Sequence, residues 1–229
     1  MKVFLLSVSG CELAATLSGA LYWQERRTLV VADLHLEKGT AFARLGILLP
    51  PYDTRSTLHA LEHLALHFRP DRIVCLGDSF HDHRGALRLA EEDAQQLRRL
   101  IAGCDWVWVS GNHDATTAGT LGGRTVGIWE SGPLVFRHQA DGDGEPGEVS
   151  GHYHPKASLW MRQRRLTVRC FVGDGRRLIM PAFGAYTGGL DISSPIIAGL
   201  MRPDFTAHLL GRRGIYPVKG ARLSRAVAR

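Results

Sequence analysis

Five short blocks carry residues able to hold metal ions: Asp33-Leu34-His35, Gly77-Asp78, Gly111-Asn112-His113-Asp114, an isolated His138, and Gly151-His152-Tyr153-His154. Together they supply oxygen and imidazole donors without thiolate, a set that suits manganese, iron or zinc better than calcium. Two such ions about 3.5–4 Å apart can generate a nucleophile at neutral pH, neutralise phosphoryl oxygens and assist a leaving alkoxide. The chemistry expected is therefore hydrolysis of a phosphoester. A carboxylate on a tight turn can bridge two ions with its two oxygens, and Asp78 is the candidate bridge. Asp33 and His35 are two residues apart, so at an extended strand end they would project to one side and reach one ion. Asn112 offers an amide oxygen, His138 and His152 suit the second ion, and His154 returns to the first. Any one of these histidines alone would more often be a polar surface group or a satisfied core residue than a ligand; their order and setting invert that reading. His138 is recommended only by its place between Asn112 and His152 and by the apolar Leu134-Val135-Phe136 before it. His59, His63, His67 and His208 lack such a setting and read as structural.

The elements that would position these blocks follow from hydrophobic pattern. Thr28 to Ala32, Arg72 to Leu76 and Trp106 to Ser110 are continuous apolar, β-branched runs that each end at a block, as expected of strands buried on both faces. Between them, residues from about Thr54 to His67 and from Ala86 to Ile101 show helical spacing. The first uses Leu58, Leu61, Ala65 and Leu66, and the second Leu87, Ala90, Ala94, Leu97 and Leu100. Alternating strand and helix predicts parallel βαβ units with ligands beyond the carboxyl ends of the strands. From about Gly127 shorter strand-like runs, including Val168 to Val172 and Leu178 to Met180, predict a second sheet packed on the first. The polar, glycine-rich stretch from Asp141 to Glu148 reads as a mobile surface loop. It lacks the remaining positions of a calcium loop.

The chain has 229 residues with 45% hydrophobic content, enough for one compact domain, with a basic tail from about residue 218 that looks flexible. No run approaches the roughly 20 apolar residues needed to cross a bilayer. The apolar stretch after Lys2 is too short and too diluted by Ser7, Ser9 and Gly10 for a secretory signal, so a cytoplasmic protein is expected. Cys11, Cys75, Cys104 and Cys170 lie far apart and read as small buried hydrophobes. The formal charge of +6, concentrated late in arginine, suits a polyanion such as DNA and fits a solvated basic surface equally well.

The order D-x-H, G-D, G-N-H-D, H and G-H-x-H resembles the calcineurin-like metallophosphoesterase superfamily. The resemblance implies an α/β fold, a two-sheet β-sandwich flanked by helices, with the dimetal site on the loops above. It would give Asp33, His35, Asp78 and His154 to one metal, and Asp78, Asn112, His138 and His152 to the other. It also implies in-line attack by a hydroxide held between the ions, with His113 protonating the leaving group. Phosphatases that act on phosphoproteins usually carry an acidic residue three places after the bridging aspartate, followed by arginine. Here that place holds His81, as in the nuclease branch, where a histidine contacts substrate phosphate. His81 is thus a substrate-binding or proton-transfer candidate, with Asp82, His83 and Asp114 as supporting candidates.

A narrower resemblance spans nearly the whole chain. Leu21-Tyr22-Trp23, Asp33 to Gly39, Gly77 to His81, Gly151 to Pro155, Arg169-Cys170-Phe171 and Pro181 to Gly189 are similar to the bacterial ligase-associated DNA damage response endonucleases. That family implies a phosphodiesterase of DNA repair associated with DNA ligase and helicase partners, and the leading expectation is a manganese-preferring phosphodiesterase or nuclease acting on DNA. Glu37 departs from it, standing where a glycine is common. Lys38 fits both a contact to substrate phosphate and solvation of the rim, and Gly184 to Gly189 fits both a wall of the site and a structural turn. Two alternatives stand beside the DNA reading: a phosphodiesterase for a nucleotide or other small diester, and a non-catalytic DNA-binding subunit of a ligase complex. Whether the chain acts alone or as a homodimer is open.

Overall fold

The computed structural model describes residues 1–112, 121–142, 144–161 and 164–220. An antiparallel meander, β1 (Val3–Val8), β2 (Cys11–Thr16) and β3 (Leu21–Trp23), leads into β4 (Thr28–Ala32). β4 is followed by α1 (Lys38–Ala43) and α2 (Asp53–Phe68), then β5 (Arg72–Leu76), α3 (Glu91–Ala102), β6 (Asp105–Val109) and β7 (Arg124–Val126). β4 to β7 are parallel neighbours, and the first sheet runs β1-β2-β3-β4-β5-β6-β7. The second sheet contains β8 (Ile128–Ser131), β9 (Leu134–Arg137), β10 (Glu148–Ser150), β11 (Lys156–Met161), β12 (Arg164–Gly173) and β13 (Arg177–Ile179). It is completed, after α4 (Pro195–Leu200), by β14 (Thr206–Leu210) and β15 (Ile215–Lys219). Its order is β15-β14-β12-β13-β10-β9-β8, with β11 on β12.

Strand periodicity explains the layers. In β4, Val30 and Ala32 face the second sheet, where they join Val74, Val107, Phe136, Val149 and Phe171. Leu29 and Val31 face the opposite way, onto Leu58, Leu61 and Leu64 of α2 and Leu97 of α3. β5 and β6 divide in the same way, which is why all three runs are apolar throughout. The outer face of the second sheet packs Cys170, Val172 and Ala207 against Ile197 of α4. The expected α/β fold of two sheets flanked by helices is what the chain adopts. Among the described residues, no helix is long and apolar enough to cross a membrane.

Several local expectations are corrected. The helix expected over Ala86 to Ile101 is a 3₁₀ turn at Gly85–Arg88 followed by α3, which starts at Glu91 after extended Ala90. Asp82 holds that turn, accepting the Arg84 amide and both terminal nitrogens of Arg88, so Leu87 is left 79% exposed. In α2 the buried stripe is Leu58, Leu61 and Leu64; Leu66 falls on the opposite face and is 72% exposed. Cys104 is only half-buried, unlike the other three cysteines, and burial pushes its thiol up to about 11. The stretch after Asp141 is tied down: Asp141 pairs with Arg137 at 3.0 Å, and buried Glu148 accepts the Asp141 amide. Arg177 donates to the carbonyls of Gly142 and Gly144. β15 pairs with β14 through Lys219, and the rest of the basic tail expected from about 218 lies, beyond Gly220, outside the described residues.

Candidate metal centre

The parallel pairing of β4 and β5 continues past their ends and sets two blocks side by side. The His35 amide donates to the Asp78 carbonyl and the Leu36 amide to the Ser79 carbonyl, both at 2.9 Å, and the His81 amide returns to Leu36. Asp33 and His35 do reach one side, but the expected extended strand end is corrected. Both residues are left-handed, with φ of 53° and 44°, and so is Glu37 at 65°. Each such residue costs of order 1–3 kcal/mol and persists only when its surroundings hold it. Asp78 is left-handed as well, directly after Gly77 at φ 69°. A side chain at Gly77 would run into the imidazole of His138, so only glycine lets that ring lie against the turn.

The second sheet meets these loops from its own strand ends. His138 follows β9, and Gly151 and His152 follow β10, which lies beside β9. Gly151 sits where a Cβ would come within 2.6 Å of an Asp33 carboxylate oxygen. The Asp33 carboxylate accepts the His152 amide at 2.9 and 3.2 Å, which ties the two sheets together at the centre. His138 Nδ1 lies 3.0 Å from the Leu76 carbonyl. A carbonyl only accepts, so that nitrogen carries the proton and Nε2 presents its lone pair.

Two groups of donors result. Asp33, His35 and His154 form one, Asp78, His138 and His152 the other, with the donor atoms of each group within 4.8 Å of one another. Asp78 Oδ2 lies 3.6 Å from His138 Nε2 and 4.0 Å from His35 Nε2, between the groups, where a bridging carboxylate belongs. Asp33 and Asp78 are 0% and 4% exposed. The set fits metal ions on its own chemistry. The lone pair of His138 Nε2 faces His152 Nδ1 at 3.0 Å, and His35 Nε2 faces His154 Nε2 at 3.2 Å. Such nitrogens attract only with a proton or a cation between them. Burial, then neighbouring His138, lowers the His152 pKa and favours the neutral imidazole that binds metal.

The remaining expected residues divide. Asn112 is exposed beside the second group, lining a cleft of about 220 Å³ with His138 and Gln139. The His81 ring is 5.8 Å from that of His35, beside the first group. Lys38 begins α1, half-buried, its ammonium 5.7 Å from the Phe42 ring centre, and burial lowers its pKa. Asp82 grips Arg88, which holds it down to about 2, so it is an anchor with no proton to exchange near neutral pH. His83 is exposed. His113 and Asp114 lie outside the described residues. Phe183 and Gly184 donate to the carbonyls of Ala32 and Asp33, so the 183–189 segment forms a wall against the metal loop.

Sequence reasoning missed a clamp behind the centre. The buried Glu37 carboxylate accepts hydroxyls from Thr40 and Thr54, the Thr54 hydroxyl accepts the Glu37 amide, and Asp53 accepts the Gly39 amide. Asp53-Thr54 at the start of a helix was the available signal, since those residue types favour backbone contacts at such places. Gln139 was missed too; it lines both the Asn112 cleft and a cleft of about 480 Å³ beside His152 and His154.

Comparison with known proteins now bears on this geometry. The crystal structure of the nuclease MPE from Pseudomonas putida matches 95% of this chain and 100% of its own, at 26% identity and a TM-score of 0.74. The phosphoesterase Yfce from E. coli matches 83% and 97%, at 13% identity and a TM-score of 0.43. No curated protein matches the sequence. Residues 26–193, which contain every donor of both groups, match the calcineurin-like phosphoesterase family. The chain belongs to that family.

Proposed function

We propose that this phosphoesterase is a nuclease that hydrolyses phosphodiesters of DNA, in the cytoplasm and in repair, with a DNA ligase and a helicase as partners. The observation that carries the reading is the likeness to the nuclease MPE over almost the whole of both chains. His81 beside the first donor group adds support, as do four free cysteines, which suit a reducing compartment.

Asp33, His35, His154 and Asp78 would hold one divalent ion, and Asp78, His138, His152 and Asn112 the other. When bound, such ions neutralise phosphoryl charge and acidify water. Manganese is proposed, with iron or zinc fitting the same donors. The chain's own residues fix the frame: the Leu76 carbonyl locks the His138 ring, and Asp33 fixes the peptide of His152. His81 and Lys38 flank the first group and orient a phosphate there, and His113, next to Asn112 in sequence, protonates the leaving oxygen.

One observation favours a nucleotide or other small diester instead. Arg27, Arg55, Arg72 and Arg88 are each paired with an aspartate within 3.0 Å, so part of the basic charge is spent on the surface itself. Product mapping on end-labelled DNA of several structures, with manganese, iron or zinc resupplied after chelation, separates the readings. Metal-dependent cleavage products are expected. Failure on every DNA alongside hydrolysis of a nucleotide diester would place the small-diester reading first.

A further inference from the structure

Three cations gather on one flank of the centre, one from α1 and two from the second sheet. Lys38 opens α1, three residues after His35. Lys156 opens β11, two residues after His154, and Arg169 is its cross-strand partner on β12. All three are half-buried, and among the described residues none forms an ion pair. The anchors of Lys156 and Arg169 are neutral. Lys156 Nζ donates to the Thr187 carbonyl at 2.9 Å, and Arg169 Nη1 to the Ala182 carbonyl at 2.6 Å.

Those carbonyls belong to the segment that bonds Ala32 and Asp33, so Lys156 and Arg169 are fixed relative to the metal loop through one strap. Arg169 lines a cleft of about 320 Å³ with Ser56, Thr57, Tyr186 and Thr187. Lys38 and Lys156 are close enough to repel, as are Lys156 and Arg169, while the Asp53 carboxylate acts on Lys38 with the opposite sign. A carbonyl fixes a cation without cancelling its charge. Like charges held together in this way repel, and an anion placed among them relieves that repulsion.

We infer that Lys38, Lys156 and Arg169 form a second phosphate subsite, which holds the phosphodiester neighbouring the one that is cleaved. The subsite rests on the nuclease reading above and specifies it. The enzyme takes a strand with at least two consecutive phosphates, and a lone diester engages only half of what the site offers. Lys38, which orients the phosphate at the first donor group, links that phosphate to Lys156 and Arg169, which are paired across β11 and β12.

The test uses the full chain and two probes, a fluorescent oligothymidylate and bis-p-nitrophenyl phosphate. In chelator, without cleavage, the slope of log affinity against log salt for the oligothymidylate should fall by about 1 in Lys156→Ala. With manganese, the ratio of kcat/KM on the oligothymidylate to that on bis-p-nitrophenyl phosphate should fall about tenfold, and Lys156→Arg should restore it. Lys156→Gln repeats both measurements if the alanine variant does not fold. An unchanged slope and ratio, with the wild type binding and cutting the strand, overturns the subsite and leaves the nuclease reading standing. A wild type that hydrolyses bis-p-nitrophenyl phosphate but neither binds nor cuts the strand overturns both.

Discussion

Where β4 and β5 end, the centre receives its carboxylates, Asp33 and Asp78, on strands buried at nearly every position. Where β9 and β10 end, it receives the imidazoles of His138, His152 and His154, the last two partly exposed and the shorter strand only three residues long. The two halves are not equivalent supports. The carboxylate half is set by strand pairing that runs on into the loops, whereas the imidazole half leans on the first, through Leu76 for His138 and Asp33 for His152. Charge is thus fixed by the first sheet, and the imidazoles of the second are brought to it.

The sharpest attack on this asymmetry compares one residue from each half. Asp78→Ala removes the group placed between both donor sets. Metal content by atomic emission should collapse, with diester hydrolysis falling by more than the roughly 10–100-fold that removing a supporting partner costs. His138→Ala should instead lose about half the metal and keep Asp33, His35 and His154 loaded. Equal metal loss in the two variants would break the comparison.

A smaller effect tests the contact between the halves. Gly77→Ala drives a methyl group into the His138 ring and strains a left-handed turn, so it should lower unfolding stability by about 1–3 kcal/mol in denaturant titration. An unchanged midpoint would mean that the imidazole half yields freely.

Smaller again is the effect at Glu37. Its left-handed backbone favours glycine, so Glu37→Gly should be more stable than Glu37→Ala by about 1 kcal/mol, the reverse of ordinary helical ranking. Alanine matching or exceeding glycine would remove the strain from the carboxylate half.

The mildest test lies away from the centre, at His208 on β14. Burial, then Lys219, holds its pKa down to about 4, below the usual 6.5. The unfolded chain therefore takes the proton first. Stability from this group is level above 6.5 and declines as pH falls from 6.5 towards 4. His208→Phe should flatten that decline in thermal melts, and an unaltered pH profile would assign the acid sensitivity elsewhere.

Much of the carboxylate half was legible because β4, β5 and β6 each write their burial as an unbroken apolar run ending at a donor. α2 was legible to within a residue at each end, from Leu58 and Leu61. The imidazole half was fainter: β9 alternates buried and half-buried positions and β10 has three residues, so His138 had little setting. The left-handed turns at Asp33, His35 and Asp78 left no mark, because residue type does not announce them. They are imposed by bonds between segments distant in sequence, such as the His35 amide on Asp78. Lys156 and Arg169 become neighbours only through the register of β11 on β12, which no local pattern reveals.

The bond between Asp33 and the His152 peptide closes a span of 119 residues, and its consequence is one of timing. A ribosome releases Asp33, His35 and Asp78 well before His152 and His154. Until those last histidines emerge, neither donor group has all its members. The growing chain therefore carries no finished catalyst, and an interrupted one never acquires it.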